Sequence, residues 1–83
     1  MNKDKITIYT ASWCGFCHAV KDYLQKLGIK YKELDVEKDE GAGQDAVSKS
    51  GQMGIPVLDI DGDIIVGFDR PKIDASLKSH NLL

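Results

Sequence analysis

The chain has 83 residues, 42% of them apolar and 29% charged. That length supports one small hydrophobic core, and the composition excludes a disordered tail, a fibrous repeat and a disulfide scaffold starved of hydrophobes. Eleven basic against thirteen acidic side chains leave a net charge of −2, too weak a field to imply a nucleic-acid or membrane partner. No apolar run approaches the ~20 residues of a membrane-spanning helix. The polar start Met1-Asn2-Lys3-Asp4-Lys5 does not feed an export signal. The expectation is a single cytoplasmic domain over residues 1–83, working as a monomer.

Residues 6–10, ITIYT, form a β-branched and aromatic run that predicts a short strand. Val20, Tyr23, Leu24 and Leu27 then recur at helical spacing, with Lys21, Asp22 and Lys26 on the opposite side, which predicts an amphipathic helix. Gly28 follows the last periodic residue and suits a left-handed C-terminal cap. Ile29, Tyr31 and Leu34 alternate imperfectly, predicting a strand over 30–34. The acidic, glycine-containing stretch 35–43 reads as a loop, and 44–50 as a short helix stopped by Gly51. Two apolar runs, 57–60 and 63–66, flank Asp61-Gly62, the signal of a type I′ hairpin. Asp69-Arg70-Pro71 then opens a last helix, with Asp69 as its cap and Ile73 and Leu77 facing the core. The order β-α-β-α-β-β-α joins a helical crossover, hence a parallel pair, to an antiparallel hairpin. The fold class is α/β with a mixed sheet.

The chain has two cysteines, at the ends of Cys14-Gly15-Phe16-Cys17. This spacing puts both thiols on the first turn of the first helix, where free backbone N–H groups and the helix dipole favour a thiolate. Cys14 then captures a disulfide sulfur, and Cys17 attacks the resulting mixed disulfide. In a β-α-β context this is the pattern of dithiol redox chemistry. A structural disulfide would close a trivial loop. Zinc lacks ligands beyond the two cysteines, His18 and His80, so no metal is expected. Cys14-Gly15-Phe16-Cys17-His18 also fits the haem-attachment pattern, against which stand the β-rich elements and Met53 as the one interior candidate for a thioether ligand.

Ile6-Thr7-Ile8-Tyr9-Thr10, Cys14-Gly15-Phe16-Cys17-His18, Ile55-Pro56-Val57 and Gly67-Phe68-Asp69 together resemble the glutaredoxins over nearly the whole chain. The resemblance implies a minimal thioredoxin fold, a four-stranded mixed sheet flanked by three helices. The five residues before Ile6 are too few for the extra strand and helix of a true thioredoxin. The resemblance makes Cys14 the nucleophile and Cys17 the resolving thiol, and implies a cis-proline at Pro56. It also implies glutathione as reducing co-substrate. Ile55 would offer backbone groups to the tripeptide's cysteine, and Gly67, Phe68 and Asp69 would hold its γ-glutamyl end. Trp13 and Phe16 would line the entrance, with half-buried packing an equal alternative for Trp13.

Three departures bear on this picture. Ala11 stands where many glutaredoxins carry a lysine, Gly54-Ile55-Pro56 replaces Thr-Val-Pro, and Val66-Gly67 replaces a glycine pair. Lys49 is a candidate for the glycine carboxylate of glutathione, or else an ordinary solvated lysine. The leading expectation is a glutathione-dependent thiol-disulfide oxidoreductase acting on protein disulfides or glutathionylated substrates. The second is a redoxin that serves ribonucleotide reductase and is recharged by thioredoxin reductase, a subgroup resembled by Gly67-Phe68 with Arg70-Pro71 and by Cys17-His18-Ala19 with Lys21. The third is a [2Fe-2S] cluster carrier of the single-thiol type, from whose motif Cys17 departs.

Overall fold

The computed structural model describes residues 5–52 and 54–82. Both the polar start and the candidate ligand Met53 fall wholly or mainly outside them. Seven elements follow in chain order: β1 (Ile6–Thr10), α1 (Gly15–Lys26), β2 (Lys32–Asp35), α2 (Glu40–Ser50), β3 (Val57–Ile60), β4 (Asp63–Val66) and α3 (Arg70–Ser79). The strands form one sheet in the order β2-β1-β3-β4. β1 pairs parallel with β2 and antiparallel with β3, which pairs antiparallel with β4. The mixed α/β architecture read from the sequence is the one observed.

Strand alternation divides the core in two. Ile6 and Ile8 of β1, Leu58 and Ile60 of β3 and Ile65 of β4 pack with Val20 and Leu24 of α1 and Ile73 and Leu77 of α3. On the other face, Tyr9 and Val57 pack under Ala42 and Ala46 of α2, with Leu34, Val36, Ile64 and Val66 half-buried around them. The edge strand β2 exposes Lys32 and Glu33, charges that discourage pairing with another chain.

Two boundaries differ from the sequence reading. β2 starts at Lys32 because the end of α1 takes up the preceding residues: Gly28 adopts φ 72°, and the Ile29 N–H donates to the Leu24 carbonyl at 3.0 Å. α2 starts at Glu40, four residues before the predicted start, because the Asp39 carboxylate accepts from the Ala42 N–H at 3.2 Å and caps the helix. In the β3–β4 hairpin, Asp61 and Gly62 both take positive φ, 48° and 101°, as a type I′ turn requires. At the far end of α3, Ser76 and His80 reach the Asp63 carboxylate at 2.8 and 3.0 Å and tie the helix to that hairpin.

Candidate active site

Both cysteines lie where β1 turns into α1. The Cys14 N–H donates to the Ala11 carbonyl at 3.2 Å, closing the turn. Cys14 then caps α1 in extended conformation, its Sγ accepting from the Cys17 N–H at 3.1 Å. A sulfur that receives a backbone N–H at a helix start is placed to hold negative charge. Cys17 lies three residues on, on the stripe Cys17, Val20, Leu24 that faces the sheet. Cys14 is 6% exposed and Cys17 0%, so a reagent meets Cys14 first. Burial, followed by the hydrogen bond with Cys14, pushes the Cys17 thiol up to about 11. Both thiols are free, and Ala11, with Val36 and Ile55 at its edge, packs around them. This sealed position leaves Cys17 no access to a haem, and the ring of His18 lies 3.0 Å from the Ser12 carbonyl on the helix surface.

The Ile55-Pro56 bond is cis. The Pro56 carbonyl accepts from the Gly67 N–H at 2.8 Å, fastening the proline loop to the corner between β4 and α3. Gly67 meets that geometry with φ 80°, where a side chain would be strained. Asp69 caps α3, its carboxylate accepting from the Lys72 N–H at 3.3 Å and lying 3.9 Å from the Lys72 ammonium. Phe68 turns away from the opening, meeting the Tyr23 ring edge-on at 5.9 Å. The Arg70 guanidinium stacks over Tyr23 at 4.6 Å. Trp13 and Phe16, in contrast, are 68% and 66% exposed. The half-buried packing offered as the alternative for Trp13 is not what the structure shows.

The sequence profile of the glutaredoxin family matches residues 6–65, from β1 into β4. The chain belongs to the glutaredoxin family. Among its relatives, a glutaredoxin-like 8.6 kDa protein of the rubredoxin operon in Clostridium pasteurianum is 39% identical over 69 residues, which cover 83% of this chain and 92% of that protein. Glutaredoxin 3 of Escherichia coli K12 is 30% identical over 64 residues, 77% of each. Among solved structures, the glutaredoxin-like NrdH-redoxin of Escherichia coli superposes with a TM-score of 0.75 at 28% identity, over 84% of this chain and 91% of that one. As a glutaredoxin-family member the protein is a thiol-disulfide oxidoreductase, with the thioredoxin fold.

Lys49 is held elsewhere. Its ammonium donates to Asp59 at 2.7 Å and to the Tyr9 hydroxyl at 2.9 Å, and lies 3.5 Å from Asp45, which also accepts from Tyr9. The Asp59 carboxylate and the Tyr9 hydroxyl raise the Lys49 ammonium above the usual lysine range, and Tyr9 draws Asp45 below the usual carboxylate range. Lys49 therefore stitches α2 to the sheet, and neither sequence alternative described that role. Lys21 is likewise paired, with Glu33 at 2.9 Å. Beside Cys14 the glutaredoxin surface opens into a groove of about 750 Å³ between α2 and Ile55, lined by Val36, Ala46 and Val47 among others. Glu40 is the charged side chain among its described lining residues. Sequence reasoning missed this groove, since Val36 and Val47 stand in segments read as a loop and a weak helix.

Proposed function

We propose that this glutaredoxin-family protein reduces disulfides carried by polypeptides through a Cys14 and Cys17 dithiol cycle. The Cys14 thiolate attacks one substrate sulfur, and the other leaves as a thiol after taking a proton. The Cys17 thiolate then attacks Cys14 Sγ, freeing the second substrate thiol and leaving a Cys14–Cys17 disulfide, which two electrons from a reductase return to the dithiol. The observation that carries this reading is the character of the flank beside Cys14. It is mainly apolar, it holds Glu40 where a carboxylate ligand would want a cation, and Lys49, the candidate lysine read from the sequence, is bound by Asp59 and Asp45. Trp13 and Phe16, the chain neighbours of Cys14 and Cys17, add two exposed aromatic rings, a surface suited to side chains of a protein. The NrdH-redoxin relative is described as having a thioredoxin-like activity profile, which supports recharging by thioredoxin reductase and makes ribonucleotide reductase a candidate client.

Glutathione remains the second reading, favoured by the Gly67 link to cis-Pro56 and by Asp69 at the start of α3. Those groups would receive the γ-glutamyl end and Ile55 the central residue, as in a family whose members use glutathione as a substrate. The deciding measurement is turnover on one mixed-disulfide substrate with thioredoxin reductase, compared with glutathione and its reductase. Faster turnover with thioredoxin reductase is expected; activity with glutathione alone overturns the first reading in favour of the second. In either system Cys14→Ser abolishes turnover. Cys17→Ser abolishes reduction of protein disulfides while sparing removal of glutathione from Cys14, and equal loss of both activities removes the assignment of Cys17 as the resolving thiol.

A further inference from the structure

The groove beside Cys14 carries a charge that the dithiol cycle does not use. On α2, Glu40, Gly43, Gln44 and Val47 recur at helical spacing, and the stripe they form lines the groove. Gly43 leaves that stripe low between Glu40 and Val47; a Cβ there would meet the Val36 carbonyl at 3.6 Å. Val36 and Ile55 also line the groove and at the same time pack against the two cysteines, so the groove is continuous with the wall of the reactive sulfur. Glu40 is exposed and has no cation within ion-pair distance among the described residues. Its neighbours add to its charge: residues 35–40, DVEKDE, hold four carboxylates against one ammonium. Glu37 lies 3.4 Å from the Ser12 hydroxyl, in the turn before Trp13, and carries the acidic rim from that turn towards the groove. The lysine of α2, Lys49, is tied to Asp59 at 2.7 Å and does not offset it. An acidic first turn suits a helix dipole, yet the Asp39 carboxylate already caps α2, so an anion approaching this helix start meets two carboxylates.

We propose that the groove selects polypeptide clients whose disulfide cysteine is flanked by an apolar residue and, within a few positions, by a lysine or arginine. The apolar side chain seats on Val36, Val47 and Ile55, and the cation meets Glu40. The proposal rests on the reading of polypeptide disulfides as substrates and names their chemical class. An extended client advances ~3.3 Å per residue and turns alternate side chains to one face, so an apolar and a basic residue near the cysteine can enter the same groove together. At an exposed site the attraction is modest and weakened by salt. It acts chiefly on encounter and on the choice of partner, which suits a protein that must release each client after one exchange. Glutathione, with two carboxylates and one ammonium, meets the same acidic rim and is disfavoured by it.

The test uses short peptides with one cysteine next to a leucine, and with lysine or glutamate two positions from the cysteine on either side. Each carries a coloured aryl thiol in disulfide linkage. Attack of the Cys14 thiolate on the peptide sulfur forms the Cys14–peptide disulfide and expels the aryl thiolate with the electron pair, so the first exchange is read without a reductase. In one placement or the other, the lysine peptide is expected to react about fivefold faster than the glutamate peptide at low salt, a gap that closes at high salt. The ratio is internal to each protein sample, so a variant that folds only in part still reports it. Glu40→Gln is expected to bring the ratio near one, and Glu40→Lys to invert it. Asp22→Asn removes one exposed negative charge from α1, on the other face of the sheet, and is expected to keep the parental ratio. Exchanging the leucine for serine probes the apolar half, and the advantage of leucine is expected to shrink in Gly43→Leu, whose side chain fills the groove beside Val36. Equal rates for the lysine and glutamate peptides in both placements overturn the proposal. So does a Glu40→Gln protein that keeps the parental ratio, an Asp22→Asn protein that loses it, or a leucine advantage untouched in Gly43→Leu. The aryl mixed disulfide of glutathione separates the two claims. If it outruns both peptides, the polypeptide reading falls and the proposal with it; if both peptides outrun it at equal rates, selection by the groove falls alone.

Discussion

The two faces of the sheet are held by different means. Between the sheet and helices α1 and α3, nine buried aliphatic side chains among the described residues form one cluster, eight of them Ile or Leu, drawn from both helices and three strands. Under α2 the buried set is Tyr9, Ala42, Ala46 and Val57, and the small alanines leave the contact to be completed by Lys49 bonded to Tyr9 and Asp59. The redox helix is therefore fastened to the larger apolar core, which keeps Cys14 and Cys17 in fixed relation to β1 and Pro56. α2, which walls the groove beside them, depends on a small polar cluster near the surface. The face that must position the chemistry is the one with the greater burial.

The largest way to break the contrast is Leu24→Ala, which empties a fully buried site in the α1 cluster. It is expected to cost about 3 kcal/mol in chemical denaturation; a loss below ~1 kcal/mol would mean that the two faces are held alike. A smaller effect comes from alkali, because each face carries one buried group raised above its ordinary range: Cys17 under α1 and Tyr9 under α2. A raised folded value means that folding favours the protonated form. That stability is whole below the unfolded value and lost as pH rises through the folded one. For the Cys17 thiol the window runs from 9.0 to about 11; for Tyr9 the loss begins near 10.0. Oxidation to the Cys14–Cys17 disulfide removes the thiol and keeps the phenol. Denaturation curves of the reduced protein should therefore fall earlier with pH than those of the oxidised one, and parallel curves would contradict the assignment to Cys17. The smallest effect is Lys49→Met, which is expected to cost about 1 kcal/mol, since its charge pairs are only partly screened by protein. Its KM for glutathione mixed disulfides should not change. A several-fold rise would show that Lys49 leaves Asp59 to meet a ligand.

Much of this was legible in the sequence because it rests on local rules. The period of Val20, Leu24 and their neighbours, Gly28 at a helix end and Asp61-Gly62 between apolar runs each carry their meaning within a few residues. The thiol spacing on the first turn of α1 does the same. The start of α2 was not legible, because Gly41 and Gly43 argue locally against a helix, and it is the Asp39 cap together with packing of Ala42 and Ala46 on Tyr9 that overrides them. The engagement of Lys49 depends on Asp59, ten residues away and on a different element.

The unequal exposure of the two sulfurs also sets a traffic rule. With Cys17 sealed and Cys14 barely at the surface, the oxidised protein presents a single sulfur to any incoming thiolate, at the same doorway through which the oxidant came. Electron donor and electron acceptor must take turns there. On the dithiol cycle proposed above, the expected kinetics are those of a shuttle that docks one partner at a time, with parallel lines in double-reciprocal plots and mutual inhibition when either partner is crowded.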